Sequence, residues 1–137
     1  MLQAENAAPY LIAKPLGDYK KLNGLLAALQ GYGYAVEVVS WLANGKTTKQ
    51  FDSAVRKNKR AWLRKYYPAI NLKNVHVVKH GTNKWRVSNY KGGILFDDES
   101  GNVNAWKRDT MSGKAVRIKD DTTLLDALES LIIQELE

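Results

Sequence analysis

The sequence predicts an α/β fold in which short parallel strands alternate with helices. Two observations carry this. Short runs rich in β-branched residues, Ala35–Ser40, Val75–Val78, Ile94–Phe96 and Ala115–Ile118, recur along the chain. The segments between them place apolar residues at helical spacing, and strands joined by helical crossovers pair in parallel. A third observation sets the scale: 137 residues, 45% of them hydrophobic, suffice for one domain with its own core. The domain is read as residues 1–137, with residues 1–9 loosely ordered.

Taken in order, Tyr10-Leu11-Ile12-Ala13 is a short apolar run halted by Lys14-Pro15. From Asp18 the pattern turns helical. Leu22, Leu25, Leu26 and Leu29 fall on one face, and Gly31 and Gly33 close the helix. The strand Ala35–Ser40 follows, and Asn44-Gly45 breaks the chain. A second helix runs from Thr47 to Tyr67 and stops before Pro68, with Phe51, Ala54, Val55, Trp62 and Tyr66 as its buried face. The strand Val75–Val78 leads into a polar segment around Asn83-Lys84-Trp85, then to the strand Ile94–Phe96. A short helix is expected over Val103–Lys107 and a last strand over Ala115–Ile118. The closing helix begins near Thr123, which with Asp126 resembles a capping box, and Leu124, Leu128, Leu131, Ile132 and Leu136 line its inner face.

There is no cysteine, which removes disulfide scaffolds, zinc–thiolate sites and cysteine nucleophiles, and suits a reducing compartment. No apolar run reaches membrane-spanning length and no signal-peptide pattern opens the sequence, so a cytoplasmic address without membrane contact is expected. The formal charge of +7 makes polyanions plausible partners. Much of that charge sits on the second helix. Lys46, Lys49, Arg56, Lys57, Lys59, Arg60, Arg64 and Lys65 face the single acid Asp52. Such a run is ordinarily a solvated face. Like charges at i,i+4 nevertheless repel by a few tenths of a kcal/mol per pair, which argues for a partner. Lys57, Arg60, Arg64 and Lys65 are the expected contacts for a nucleic acid or an acidic protein surface.

The chemistry is expected where open parallel sheets bind ligands, beyond the carboxyl ends of the strands. Ser40 ends the first clear strand. Asp97 and Asp98 end the third, in the stretch GILFDDESGN. Lys84 lies in the segment before it. A hydroxyl and an ammonium can hold phosphate oxygens, and paired carboxylates can hold Mg²⁺ with its waters. The bland alternative for Asp97-Asp98 is a solvated turn. His76 alternates within a strand and reads as packed, whereas His80 lies in a loop beside the site. No Ser–His–acid triad and no His–carboxylate metal spacing emerges.

The order Ser40, Lys84, Asp97-Asp98 resembles motifs two, three and four of the haloacid-dehalogenase (HAD) superfamily. The nearer likeness is to its 5'(3')-deoxyribonucleotidase-like branch, which includes small versions from Firmicutes and their phages. The pieces that carry it are KPLGDYKKLNGLLAAL with GYAVEVVSW, KRAWLRKYYPAINLKNVHVV, HGTNKW, ILFDDESGNVNAW and GKAVRI, in that order across residues 10–130. The resemblance implies a HAD-like, Rossmann-type three-layer sandwich with a parallel sheet of four or five strands and no cap domain. It also implies a phosphate-containing ligand, with Mg²⁺ on Asp97 and Asp98.

One part of the pattern is missing. HAD phosphatases open on a strand ending in Asp-x-Asp, whose first carboxylate attacks phosphorus and whose second acts as general acid and base. No Asp-x-Asp occurs in this sequence. That strand is normally central, so its loss is expected to leave a gap between the strand of Val36–Val39 and that of Ile94–Phe96. Residues 10–13 could fill it, the flanking strands could close up, or another chain could add a strand. The first is favoured because Leu11-Ile12-Ala13 suits a strand buried on both faces. Lys14 then falls at the nucleophile position, where it could pair with Asp97 or Asp98 in place of the metal. The expected protein is therefore a catalytically silent relative that acts by binding. The alternative is a Mg²⁺-dependent phosphatase completed by a nucleophile from another chain.

Overall fold

The computed structural model describes Pro15 and residues 17–137. The expectations for Tyr10–Ala13 and for Lys14 fall outside them. The architecture is mixed α/β. Helix α1 (Tyr19–Gly31) precedes strand β1 (Val38–Trp41), and helix α2 (Lys49–Tyr66) leads through a 3-10 turn (Leu72–Asn74) into β2 (Val75–Val78). A single-turn helix α3 (Lys84–Val87) precedes β3 (Leu95–Asp97). Then come α4 (Ser100–Asp109), β4 (Ala115–Arg117) and α5 (Asp121–Leu136). Among the described residues no helix is long and apolar enough to cross a membrane.

The strands pair in parallel, as the crossovers require. Among the described residues they form two pairs rather than one sheet of four or five: β1 with β2 and β3 with β4. In the first pair Val38 stands opposite Val75 and Trp41 opposite Val78. In the second, Leu95 stands opposite Ala115 and Asp97 opposite Arg117. The inner edges of β1 and β3 have no strand paired to them among the described residues.

Helix boundaries follow their caps. Asp18 accepts from Lys21 N–H at 3.0 Å and starts α1. Gly33, at φ 96°, turns out of it in the left-handed region that glycine enters without steric cost. Thr48, not Thr47, caps α2, its hydroxyl accepting from Phe51 N–H at 3.0 Å. The expected α4 boundaries were too short, because the helix begins at Ser100 and runs to Asp109. The expected capping box at Thr123 is also displaced. Asp120 is the cap, accepting from Thr123 N–H at 2.8 Å and from its hydroxyl at 2.9 Å, so Thr123 lies inside α5. A carboxylate makes the stronger acceptor at this position.

The main core joins Leu42, Phe51, Val55, Tyr67, Ile70, Val75 and Val77, with Leu22 and Leu26 of α1 and Trp62 and Tyr66 of α2 packed against it. The inner face assigned to α2 is therefore borne out. Trp62, Tyr66 and Tyr67 form an aromatic cluster, with Tyr19 edge-on to Tyr66 at 5.2 Å. On the other side Val103 and Trp106 of α4 are buried, and α4 packs on β3 and β4. Helix α5 lies along α1 and buries Leu128, but Leu136 is 71% exposed, so the inner face does not extend to the end of the helix.

Candidate functional site

Two lysines gather at the carboxyl end of β1, and one of them, Lys84, also reaches the end of β3. Ser40 and Trp41 end β1. Lys59 reaches back from α2, donating to Ser40 Oγ at 2.8 Å and to the Trp41 carbonyl at 2.7 Å. Lys84 opens α3, and its Nζ lies 2.7 Å from Asp97 Oδ2 at the end of β3. The same ammonium sits 5.4 Å from the centre of the Trp41 ring, a cation–π distance. Trp41 is itself fixed, its Nε1 donating to the Thr82 carbonyl at 2.9 Å and its ring lying 4.7 Å from that of His80.

Asp97 is buried, and both of its oxygens accept hydrogen bonds. Oδ1 accepts from Glu99 N–H at 2.9 Å, an Asx-type turn that leads the chain from β3 into α4. Oδ2 accepts from Lys84 and from Asn102 Nδ2 at 3.2 Å. Burial pushes this carboxyl up. The Lys84 ammonium, the Glu99 amide and Asn102 outweigh that and hold it below the usual carboxylate range. Burial, with the charge of Lys84 nearby, lowers the pKa of Lys59. Two half-buried ammonium groups thus share a rim with one buried carboxylate.

Asp98 parts company with its neighbour. It is exposed, and its carbonyl accepts from Arg117 Nε at 3.3 Å. The paired charges of GILFDDESGN are therefore divided by strand alternation, Asp97 inward and Asp98 outward. As arranged, Lys84 supplies the positive charge at Asp97 Oδ2, so Mg²⁺ there would have to displace that ammonium. Among the described residues no group of three or more His, Asp or Glu side chains is placed to hold a metal ion. Among the described residues the lysine paired with Asp97 is Lys84.

Three of the four expected site residues, Ser40, Lys84 and Asp97, meet at this rim. Sequence reasoning missed Lys59, Trp41 and Asn102. Asn102 lay within the stretch that drew attention, five residues beyond Asp97. Nothing in the sequence separates Lys59 from the other cations of its helix. Of the expected polyanion contacts, Lys57, Arg64 and Lys65 are exposed on α2. Arg60 instead donates to the carbonyls of Leu72 and Val75, at 2.9 and 2.8 Å.

His76, on β2, belongs to a separate cluster around Glu37, the residue just before β1. Glu37 Oε2 lies 2.9 Å from His76 Nε2 and accepts from Asn89 N–H at 3.0 Å, while Oε1 accepts from the Ser88 hydroxyl. The carboxylate lies between the hydroxyl and the imidazole, so this is not the serine–histidine–acid order that activates a nucleophile. No family model, no characterised protein and no solved structure matches the chain.

Proposed function

We propose that the protein is a catalytically silent, HAD-like binding module that holds a phosphate-bearing ligand at the rim of Ser40, Lys59, Lys84 and Asp97. The observation that carries this reading is the state of Asp97. Among the described residues it is the one buried carboxylate at the rim, and its oxygens accept from Lys84, Asn102 and the Glu99 amide. Each of its oxygens already accepts from a protein donor. The surplus of ammonium over buried carboxylate favours an anion, and the Ser40 hydroxyl supplies a neutral donor. Binding without cleavage follows. The two parallel strand pairs support the HAD-like assignment, because they are what that sheet becomes when its first, central strand is left out.

The test combines binding and turnover. Trp41 stacks under Lys84, so a nucleoside monophosphate bound at the rim should change its fluorescence, and Trp41→Phe should remove the change. No hydrolysis of an aryl phosphate or of nucleoside monophosphates is expected with Mg²⁺ present. Turnover that Asp97→Asn abolishes would show a working phosphatase. The inner edges of β1 and β3, unpaired among the described residues, favour one second reading, a phosphatase completed by a strand from another chain. On that reading specific activity rises with protein concentration, whereas the binding module shows none at any concentration.

A further inference from the structure

Charge is segregated along this chain. From Lys46 to Lys79 there are ten Lys and Arg residues against one acid, Asp52. From Asp97 to Glu137 there are ten acids against five Lys and Arg. Asp52 does not face the cations freely, since its Oδ1 accepts from the Thr47 hydroxyl at 2.6 Å. On α2 the inner face is committed to the core by Phe51 and Val55. At 3.6 residues per turn, Lys49, Arg56, Lys57, Arg60 and Arg64 fall within an arc of about 100° on the other side. Lys49, Lys57 and Arg64 are exposed, as are Lys65 nearby and Lys46 just before the helix. From Lys49 to Arg64 the row runs about 22 Å at 1.5 Å per residue.

The geometry points to the outer stripe of α2, carried by Lys49, Lys57, Arg64 and Lys65, as a sequence-independent docking surface for the phosphate backbone of duplex nucleic acid. The inference goes beyond the rim and stands without it, because the stripe lies on the outward side of the helix. Three features choose this partner. The stripe carries exposed cations along the whole length of one helix, which suits a regular polyanion. Its remaining positions, Gln50, Ser53 and Ala61, offer no aromatic or large aliphatic anchor of the kind that dominates protein interfaces. Trp62, Tyr66 and Tyr67 are packed against one another and into the core, so no ring on the stripe is available to stack an unpaired base. The apolar face of α2 is buried, so the helix cannot lie in a bilayer interface as an amphipathic anchor does.

Binding of a mixed-sequence 20-base-pair DNA by the full chain, followed by fluorescence anisotropy across a KCl series, tests the inference. Three to four neutralised phosphates should weaken binding about 40- to 150-fold between 50 and 200 mM salt. The triple variant Lys49→Glu, Lys57→Glu, Arg64→Glu should flatten that slope by about three and remove most of the affinity at 100 mM. The variant Lys107→Glu, Lys114→Glu, Lys119→Glu changes net charge equally on exposed positions elsewhere, and should cost less than about tenfold. The stripe variant should keep its thermal midpoint, since Glu at Lys49 suits a helix start and Glu at Lys57 and Arg64 relieves like-charge repulsion. It should also keep the Trp41 response to nucleoside monophosphate, so the rim and the stripe can fail separately. A salt-independent affinity, equal losses in the two triple variants, or poly-glutamate competing as well as DNA at matched charge would each overturn the assignment.

Discussion

The guanidinium of Arg60 donates to the Val75 carbonyl at 2.8 Å, closing the outer edge of the β1–β2 pair. One helical turn earlier, Arg56 Nε donates to the Val77 carbonyl at 3.2 Å. The spacings match. Four residues of helix advance about 6 Å, and two residues of strand about 6.6 Å. Val75 and Val77 point their carbonyls away from β1, because the alternate residue Val78 accepts from Leu42 N–H at 2.7 Å on the paired side. An edge whose carbonyls are already capped is a poor template for a further strand. Part of the positive charge on α2 thus serves the fold and not a partner.

Arg60→Ala should therefore destabilise the protein by about 1–3 kcal/mol, the range for a half-buried hydrogen bond made by a charged donor. Arg60→Lys should recover only part of the loss, since an ammonium cannot fork across the Leu72 and Val75 carbonyls. Urea unfolding gives the stability, and light scattering against concentration reports edge association, expected to rise for Arg60→Ala. An unchanged urea midpoint would mean that water replaces the guanidinium without cost.

Lys84 and Asp97 should behave as a coupled pair. Their side chains are 16% and 4% exposed, so removing one leaves the other poorly solvated. Lys84→Met is expected to cost about 3–5 kcal/mol, because it leaves a buried carboxylate without its counter-ion. The double variant Lys84→Met, Asp97→Asn should cost less than the sum of the singles. A double-mutant cycle from denaturant unfolding measures the difference. Additive losses would show that the 2.7 Å contact contributes no coupling.

The sequence made the elements legible where one force dominated. The inner face of α2 followed from the spacing of Phe51, Val55, Trp62 and Tyr66, because apolar periodicity reports burial directly. The pairing of parallel strands followed from their helical crossovers. The rim was legible only in part. Ser40 and Asp97 were placed by their positions at strand ends and Lys84 by its place in the segment before β3, while Lys59 was invisible within a run of like residues. The roles of Arg56 and Arg60 were equally hidden, since nothing local distinguishes a cation that caps a strand from one in solvent. Leu136 failed for the opposite reason: its spacing continues the apolar face of α5, but among the described residues no element covers it at the last turn.

Glu37 should matter to the loop that follows α3 more than to the sheet. It accepts from His76, Ser88 and Asn89, and the Ser88 hydroxyl in turn accepts from Tyr90 N–H at 3.0 Å. Its side chain is 10% exposed. Glu37→Ala should lower stability by about 2–4 kcal/mol through three orphaned donors. Amide hydrogen exchange should accelerate at Asn89 and Tyr90 well before it does in β2. Uniform acceleration across the chain would instead make Glu37 a determinant of global stability alone.

Acid should weaken the protein through Asp97 in a defined window. Its folded pKa lies below the unfolded carboxyl value, which is about 3.9. Between those two values the unfolded chain binds more protons than the folded one, so stability rises with pH there. The contribution of this carboxylate is complete above the unfolded value and disappears as pH falls through the folded one. Asp109 and Asp120 are held low as well and titrate in the same region, so the wild-type curve alone does not isolate Asp97. Comparison with Asp97→Asn does. The gap in unfolding free energy between the two proteins should be constant above about pH 5 and close progressively below about pH 4. A gap that stays constant to pH 2 would mean that Asp97 titrates at the same pH folded and unfolded. The contacts from Lys84, Glu99 and Asn102 would then do no more than offset the cost of burial.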